Sequence, residues 1–436
     1  MGSDNKVDNL MFSIINRRAA GEPAGIYSAC SADRFVLEAV IESGVEYGRP
    51  VLIESTANQC NQFGGYMRMR PDDFFTYVTN IAHERGLPED MLILGGDHLG
   101  PLVWQNENVA PAMEKAKEMV RQYVFAGFTK IHIDTSMRLG GDDTGKRLPD
   151  ETIAERAAEL ARACEGAYAE RKASGRGGAA PVYVIGSEVP IPGGAREPED
   201  SVRVTTAAEL SDTYDAFRGA FYSAGVGGAF QRVVAIVAQP GVEFGDETIV
   251  EYDRAAARGL TGAIKAYDGV VLEGHSTDYQ TRYKLKEMVE DGVAILKVGP
   301  ALTFYCREAL FALAGIEGEM GFDNPSGFVE ALDRAMLREP GNWIKHYRGP
   351  EKEVALKRKY SYSDRCRYYM PEPVVQAALR TLIDNINAHH IPISLISQYL
   401  PGAYAKMRET GMAASAENMI KDRIKGCIAD YMYATR

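Results

Sequence analysis

Eight short apolar segments recur through the first 300 residues of the chain, and each ends in a small group of polar or acidic residues. They cover residues 25–30, 51–55, 92–98, 130–136, 182–188, 232–239, 269–276 and 294–299. Continuous apolar runs of this length are typical of strands buried on both faces, as in a parallel sheet. The stretches between them are long enough for the helices that parallel crossovers require. The pattern predicts an α/β fold, a (β/α)8 TIM barrel, over residues 1–302.

The pattern changes after the eighth segment, because no further strand of comparable strength follows. Helical patterns at 304–313, 325–339 and 373–388 predict that residues 303–436 form a helical extension packed on the barrel. A tyrosine-rich stretch, 360–369, interrupts these helices. It is compatible with a helix start capped by Ser363 or Asp364 with its aromatic rings turned inward. Its arginines, tyrosines and serines are equally compatible with a phosphate or sugar clamp.

The net charge limits the kinds of molecule that the protein can bind, and the cysteine content indicates its cellular compartment. The net charge of −11 disfavours nucleic acid and anionic membrane surfaces as partners. A phosphorylated substrate is still compatible with it, since a local arginine cluster can hold a phosphate. Six scattered cysteines without a C-x-x-C pair, no 18-residue apolar run and no apolar signal core predict a cytoplasmic protein. We also expect a homo-oligomer.

The C-terminal ends of the predicted strands carry metal-ligand residue types, and active sites of barrels gather at those ends. Asp97 and His98 follow two glycines on the third strand, Glu188 closes the fifth and His275 closes the seventh. Two imidazoles and one carboxylate are the ligand set of a catalytic divalent metal ion, Zn²⁺ or Mn²⁺. Such an ion would polarise a substrate carbonyl and stabilise an enediolate. A histidine hydrogen-bonded in the barrel rim is the alternative for His98.

Three further residues near these strand ends have two interpretations each. His132 and Asp134 share one face of the fourth strand, so either could face the barrel mouth as a ligand or an orienting residue. The alternative is a buried polar pair, and Asp134 is the better catalytic candidate. Asp278 follows His275 by three positions. It is a candidate for proton transfer or for binding substrate hydroxyls, and also for the N-cap of a helix.

The residues expected to bind the substrate lie on other segments. Lys297, on the eighth strand, could form a Schiff base or attract an oxyanion or phosphate. Gly299 begins a turn into a helix, where backbone N–H groups form a natural anion site. The polar residues of the tyrosine-rich stretch and two amides after the second strand complete the predicted binding site; the amides could instead cap a loop. These residues are Ser361, Ser363, Arg365, Arg367, Asn58 and Gln59.

Five motifs resemble the GatZ/KbaZ family over nearly the whole chain. They are LGGDHLGP (94–101), KIHIDTS (130–136), EGHSTDYQ (273–280), LKVGPALT (296–303) and SYSDRCRYY (361–369). The family is related to zinc-dependent class II aldolases. The resemblance implies that Asp97 is the acid-base residue and that His98 and His275 bind metal. The middle aldolase ligand is a histidine where this chain has Glu188, which puts zinc specifically in doubt.

The resemblance leaves two functions in competition. Enteric members are described as non-catalytic partners that stabilise a separate subunit of tagatose-1,6-bisphosphate aldolase. Other relatives resemble ketose 4-epimerases, which would convert D-tagatose 6-phosphate to D-fructose 6-phosphate by retro-aldol cleavage and recondensation. Members are also often labelled tagatose 6-phosphate kinases, but this chain has no G-x-x-x-x-G-K-[ST] loop. Because the residues supply a metal site, an acid-base carboxylate and a phosphate anchor, we expect a ketose-phosphate 4-epimerase.

Overall fold

Eight parallel strands close into a barrel in a computed structural model that describes residues 9–143, 147–187 and 202–436. All eight predicted segments form barrel strands, in the order β1-β10-β9-β6-β5-β4-β3-β2, which confirms the predicted TIM barrel. A two-residue ladder, β7–β8, was not predicted and lies outside the barrel. The strands are β1 (Ile26–Ala29), β2 (Val51–Thr56), β3 (Leu92–Leu99), β4 (Lys130–Ile133), β5 (Val182–Ile185), β6 (Val233–Val237), β7 (Glu243–Phe244), β8 (Ile249–Val250), β9 (Val271–Gly274) and β10 (Val293–Val298).

Helices connect the strands, and local capping explains where several of them begin. Asp33 accepts a hydrogen bond from the Val36 N–H at the start of α2, and Thr206 forms a capping box with Glu209 at α6. The helices preceding the C-terminal segment are α1 (Met11–Ala19), α2 (Arg34–Tyr47), α3 (Pro71–Glu84), α4 (Val109–Ala126), α5 (Asp150–Ala173), α6 (Ala207–Ser223), α7 (Gly227–Phe230), α8 (Arg254–Ala263) and α9 (Arg282–Asp291).

The chain after β10 is helical. Its helices are α10 (Pro300–Met320), α11 (Phe328–Arg338), α12 (Glu351–Tyr360), α13 (Pro373–Ala388), α14 (Ile393–Tyr399), α15 (Pro401–Thr410) and α16 (Ala416–Ala434). The proposed boundary between residues 302 and 303 falls inside α10, because a proline at the first helical position starts that helix directly after the barrel strand.

The last helix, α16, packs against α2, α9 and α10 of the barrel. Lys421 on α16 lies 2.5 Å from Glu42 on α2, and Arg49 donates to the backbone oxygen of Thr435 at 2.5 Å. This last helix therefore packs directly on the outer helices of the barrel. In the part of the chain that the structure describes, no helix is both long and apolar enough to cross a membrane.

Candidate functional site

A pocket opens at the C-terminal end of the barrel, where residues from β2, β3, β9 and β10 meet the segment 361–369. It contains nine of the residues predicted for the site. These are Asn58, Gln59, Asp97, His98, His275, Asp278, Lys297, Gly299 and Arg367. Cys30, Thr56, Tyr66, Phe244, Ser276, Val298, Pro300 and Tyr368 complete its lining. The closure of the barrel thus brings together side chains that are up to 338 positions apart in the sequence (30 to 368).

The backbone is unusual at two positions beside this pocket. His98 and Ser276 have φ values of 47° and 53°, in the left-handed region that residues other than glycine rarely adopt. Such conformations cost about 1–3 kcal/mol each and persist where the surrounding structure imposes them. At His98 the conformation occurs within β3, where the pairing register with β4 shifts between Gly96 and Leu99. The strand therefore departs from regular geometry at the residue that presents the imidazole to the pocket.

Three imidazoles lie together at the base of the pocket, with ring centroids 4.9–5.2 Å apart. Each ring has one nitrogen within hydrogen-bonding distance of a carboxylate oxygen. The pairs are His98 Nδ1 with Asp134 Oδ2 (2.8 Å), His132 Nδ1 with Asp97 Oδ1 (2.9 Å) and His275 Nε2 with Glu273 Oε1 (3.1 Å). A carboxylate on one nitrogen fixes the orientation of an imidazole and leaves its other nitrogen for a metal ion.

The residues fit a divalent ion. Ligand atoms of Asp97, His98, His132 and His275 all lie within 4.8 Å of one another. His132 Nε2 is buried and has no hydrogen-bond partner among the described residues. A buried nitrogen without a partner is uncommon in proteins and is satisfied when it binds a ligand. Glu188, the predicted carboxylate ligand, lies outside the described residues, so the fit rests on these four side chains.

Burial favours the neutral, metal-binding form of His275, and neighbouring positive charges favour ionisation of Asp97. Burial lowers the pKa of His275 to about 4, so its imidazole is neutral near pH 7 and can act as a ligand. Burial raises the pKa of Asp97, but the nearby Lys297 ammonium and His98 outweigh it, and the pKa lies well below its usual value. Burial lowers the pKa of His98, but Asp97 and Asp134 raise it more, so a metal ion competes with a proton there.

Asp278 caps a helix, although not the one that follows it in the sequence. Its Oδ1 accepts hydrogen bonds from the N–H groups of Gly299 (3.0 Å) and Ala301 (2.8 Å), at the start of α10. The anion site predicted at Gly299 is therefore occupied by a carboxylate of the chain itself. The helix after Asp278, α9, begins at Arg282 with Thr281 as its N-cap. Burial raises the pKa of Asp278 to about 6.

The segment 361–369 reaches the pocket through only part of its predicted residues. The Ser361 hydroxyl donates to Asp246 (3.1 Å) and lies 3.0 Å from the Ser363 hydroxyl, and the Arg365 guanidinium donates to the Asn342 backbone oxygen (3.0 Å). Arg367 is in the pocket wall, where its guanidinium lies 4.4 Å from the centre of the Tyr368 ring. The stretch contains a single turn of 3-10 helix, Arg365–Tyr368, instead of the start of a longer helix.

Glu54, Lys130 and Glu273, three charged residues of the barrel interior, were not predicted as part of the site, although they contact the predicted Lys297 and one another. Lys297 forms ion pairs with Glu54 and with Asp97 Oδ1, the latter at 2.8 Å. Below it, Lys130 lies between the carboxylates of Glu54 and Glu273. The sequence feature that could have indicated them is a single charged residue inside each of several otherwise apolar strand segments. Near the rim, Gln59 accepts a hydrogen bond from the Thr56 N–H at 2.9 Å, so this amide caps its loop as well as lining the pocket.

Comparison with known proteins identifies the family. Residues 11–436 match the family model described as D-tagatose-1,6-bisphosphate aldolase subunit GatZ/KbaZ-like. The chain belongs to this GatZ/KbaZ-like family. It is 44% identical over 424 residues to the D-tagatose-1,6-bisphosphate aldolase subunits GatZ of Salmonella agona and Salmonella typhimurium, covering 97% of this chain and 98% of each relative. A crystal structure described as a probable tagatose 6 phosphate kinase from Sinorhizobium meliloti 1021 superposes with a TM-score of 0.85 and 42% identity, over 94% of this chain and 100% of that chain.

The family assignment corrects the expected activity. The prediction of a ketose-phosphate 4-epimerase is wrong, because the family and its curated Salmonella members are named as aldolase subunits. A cluster of metal-ligand residues beside an acid-base carboxylate is not sufficient to identify the reaction. Retro-aldol cleavage and epimerisation at C4 use the same residue types, so those types alone do not separate the two. The family places the chain in carbohydrate metabolism that involves tagatose.

Proposed function

We propose that this protein is a subunit of a D-tagatose-1,6-bisphosphate aldolase and that it stabilises a separate aldolase subunit by associating with it. The observation that carries the proposal is the family match over residues 11–436, together with 44% identity across 98% of the length of relatives named as subunits. Identity of that extent covers the barrel and the C-terminal helices alike. The match therefore spans the whole fold and is not limited to the pocket.

In this proposal the pocket at the barrel mouth binds a divalent metal ion, Zn²⁺ or Mn²⁺, and a phosphorylated ketose. We assign the ion to His98 and His275, with His132 beside them in the same cluster. From its place in the sequence alone, Glu188 is assigned as a further ligand. When bound, the ion supplies Lewis-acid polarisation of a carbonyl oxygen. Supporting this role, a carboxylate already engages one nitrogen of each imidazole.

The remaining pocket residues would bind and orient the ketose. Asp97 is held in its ionised form and can accept a hydrogen bond from a ketose hydroxyl. The Lys297 ammonium lies 2.8 Å from Asp97 and offers positive charge beside it. Arg367 is the arginine that lines the pocket, and we assign it the phosphate group. Asn58 is available for sugar hydroxyls.

The test is a stability measurement on the assembled pair. This chain is co-expressed with the aldolase subunit of the same organism, and the half-life of tagatose-1,6-bisphosphate cleavage is compared with that of the aldolase subunit alone. An equal amount of an unrelated barrel protein serves as the control. We expect co-purification and a half-life lengthened several-fold only by this chain. Separate elution with an unchanged half-life, or cleavage of the bisphosphate by this chain alone, would overturn the proposal.

A further inference from the structure

One lysine in the barrel interior connects two carboxylates from different strands. Lys130, on β4, is fully buried. Its Nζ lies 2.6 Å from Glu54 Oε1, on β2, and 2.5 Å from Glu273 Oε2, on β9. Both carboxylates are also fully buried. A single ammonium thus ties three strands together below the pocket.

The second oxygen of each carboxylate faces a residue of the pocket. Glu54 Oε2 accepts from the Lys297 ammonium and from the Ser28 hydroxyl, the latter at 2.6 Å. Glu273 Oε1 lies 3.1 Å from His275 Nε2. Lys130 is therefore connected through Glu54 to Lys297, which lies beside Asp97. Through Glu273 it is connected to His275, one of the three clustered imidazoles.

The neighbouring strand leaves room for this arrangement. Gly95, on β3, is paired in register with Glu54 on one side and with Lys130 on the other. A Cβ atom at position 95 would lie 2.5 Å from Glu54 Oε1, the oxygen that pairs with Lys130. The ion pair crosses β3 only because position 95 has no side chain. The glycine, the lysine and the glutamate thus form one interdependent unit.

Stability does not explain why these charges are buried. Desolvation of buried ion pairs often cancels their mutual attraction, and apolar side chains of similar size are usually as stable or more so. What a buried ionic network provides is a defined position for each charged group. In this network, the groups so positioned are Lys297 and His275, and both line the pocket.

We propose that Lys130 is a positioning residue, which fixes Glu54 and Glu273 so that Lys297 is placed for the anionic ligand and His275 for the metal ion. The proposal rests on the metal- and ketose-binding pocket of the proposed function. It assigns each carboxylate a main effect through its nearest pocket residue, since Glu273 Oε1 lies 3.1 Å from His275 Nε2 but 3.9 Å from Lys297 Nζ. Glu273 acts on metal binding through His275, and Glu54 acts on binding of the phosphorylated ketose through Lys297.

The test measures two affinities in each variant of the full chain by titration calorimetry, one for Zn²⁺ and one for tagatose 1,6-bisphosphate. Glu273→Gln should weaken metal binding by about 10- to 100-fold, the usual effect of losing a carboxylate behind a metal-binding histidine. Glu54→Gln should leave metal affinity within about threefold and weaken binding of the bisphosphate on the order of tenfold. Lys130→Met should weaken both.

Arg156→Met is the control, since Arg156 forms an ion pair with Asp142 (2.6 Å) outside the pocket in which both side chains are largely buried. It should lower the melting temperature without changing either affinity. The glutamine variants keep the test decisive if Lys130→Met does not fold, because they preserve side-chain shape. Equal effects of Glu54→Gln and Glu273→Gln on both ligands, or Lys130→Met behaving like Arg156→Met, would overturn the positioning role alone. A wild-type chain that binds neither ligand would overturn the proposed pocket and the positioning role together.

Discussion

The strand-end cluster (Asp97, His98 and His275) and the segment 361–369 were both predicted to be functional from their residue types. Their side chains are nevertheless positioned differently in the structure. At the strand ends, Asp97, His98 and His275 converge on one pocket. In the segment 361–369, Ser361 donates to Asp246 and lies beside Ser363, Arg365 donates to Asn342, and Arg367 reaches the same pocket with Tyr368.

The difference comes from how each region is positioned. A closed parallel barrel brings the C-terminal ends of all its strands to one rim, so a polar residue at a strand end is placed near the others by topology alone. The side chains of an irregular segment point where long-range packing directs them. Arg365 donates to Asn342, 23 positions earlier, and Ser361 donates to Asp246, 115 positions earlier. Residue type therefore predicts which side chains line the pocket better at strand ends than in connecting segments.

The largest expected effect tests the strand-end cluster. His98→Ala and His275→Ala should each weaken binding of Zn²⁺ or Mn²⁺ by at least about 100-fold, because loss of a direct ligand exceeds the effect of losing the carboxylate behind it. Calorimetric titration of the metal-free protein measures this, with the exposed His389, replaced in His389→Ala, as the matched control. If either pocket variant bound the ion like wild type, that histidine would not be a ligand.

A smaller effect separates the two arginines of the segment 361–369. Arg367→Ala should raise the dissociation constant for tagatose 1,6-bisphosphate by roughly 10- to 100-fold, since a hydrogen bond to a charged group contributes about 1.5–3 kcal/mol. Arg365→Ala should change it by less than about threefold, because Arg365, unlike Arg367, does not line the pocket. Free tagatose, titrated in parallel, should bind both variants equally. Reversed effects of the two substitutions would contradict the placement of these side chains.

The smallest effect concerns Asp278, whose carboxylate caps the start of α10. Its pKa of about 6 exceeds the ordinary value, so the folded state binds more protons than the unfolded state between about pH 4 and 6. The free energy of unfolding should therefore fall as the pH rises through that window. Asp278→Asn keeps the acceptor oxygen for Gly299 and Ala301 and removes this fall. Urea unfolding gives the free energy of unfolding of the variant minus that of wild type. This difference should be more positive at pH 7 than at pH 4 by roughly 1–3 kcal/mol. A difference independent of pH would contradict the raised pKa.

The sequence was sufficient for the architecture and for part of the site. Apolar runs ending in polar residues located all eight barrel strands, and the strand-end positions of Asp97, His98 and His275 placed them in one pocket. The partner of a charged residue inside a strand was not predictable, because the pairing of Lys130 with two glutamates depends on strand register and on the space left by Gly95.

Two further features were beyond sequence reasoning for related physical reasons. Asp278 caps a helix that starts 22 positions later, which requires β9 and β10 to lie side by side at the rim. The reaction was also undetermined, because the residue types suited to an epimerase are those suited to an aldolase. The five motifs had indicated the GatZ/KbaZ family, and comparison of whole chains confirmed that family while overturning the expected epimerase activity.

Native mass spectrometry of this chain co-expressed with the aldolase subunit of the same organism tests the central claim most directly. The proposal predicts a complex that contains both chains. It also predicts one divalent ion per copy of this chain, an ion that is lost when this chain carries both His98→Ala and His275→Ala. Two chains that separate under native conditions, or a complex in which this chain carries no ion before the substitutions, would contradict the account.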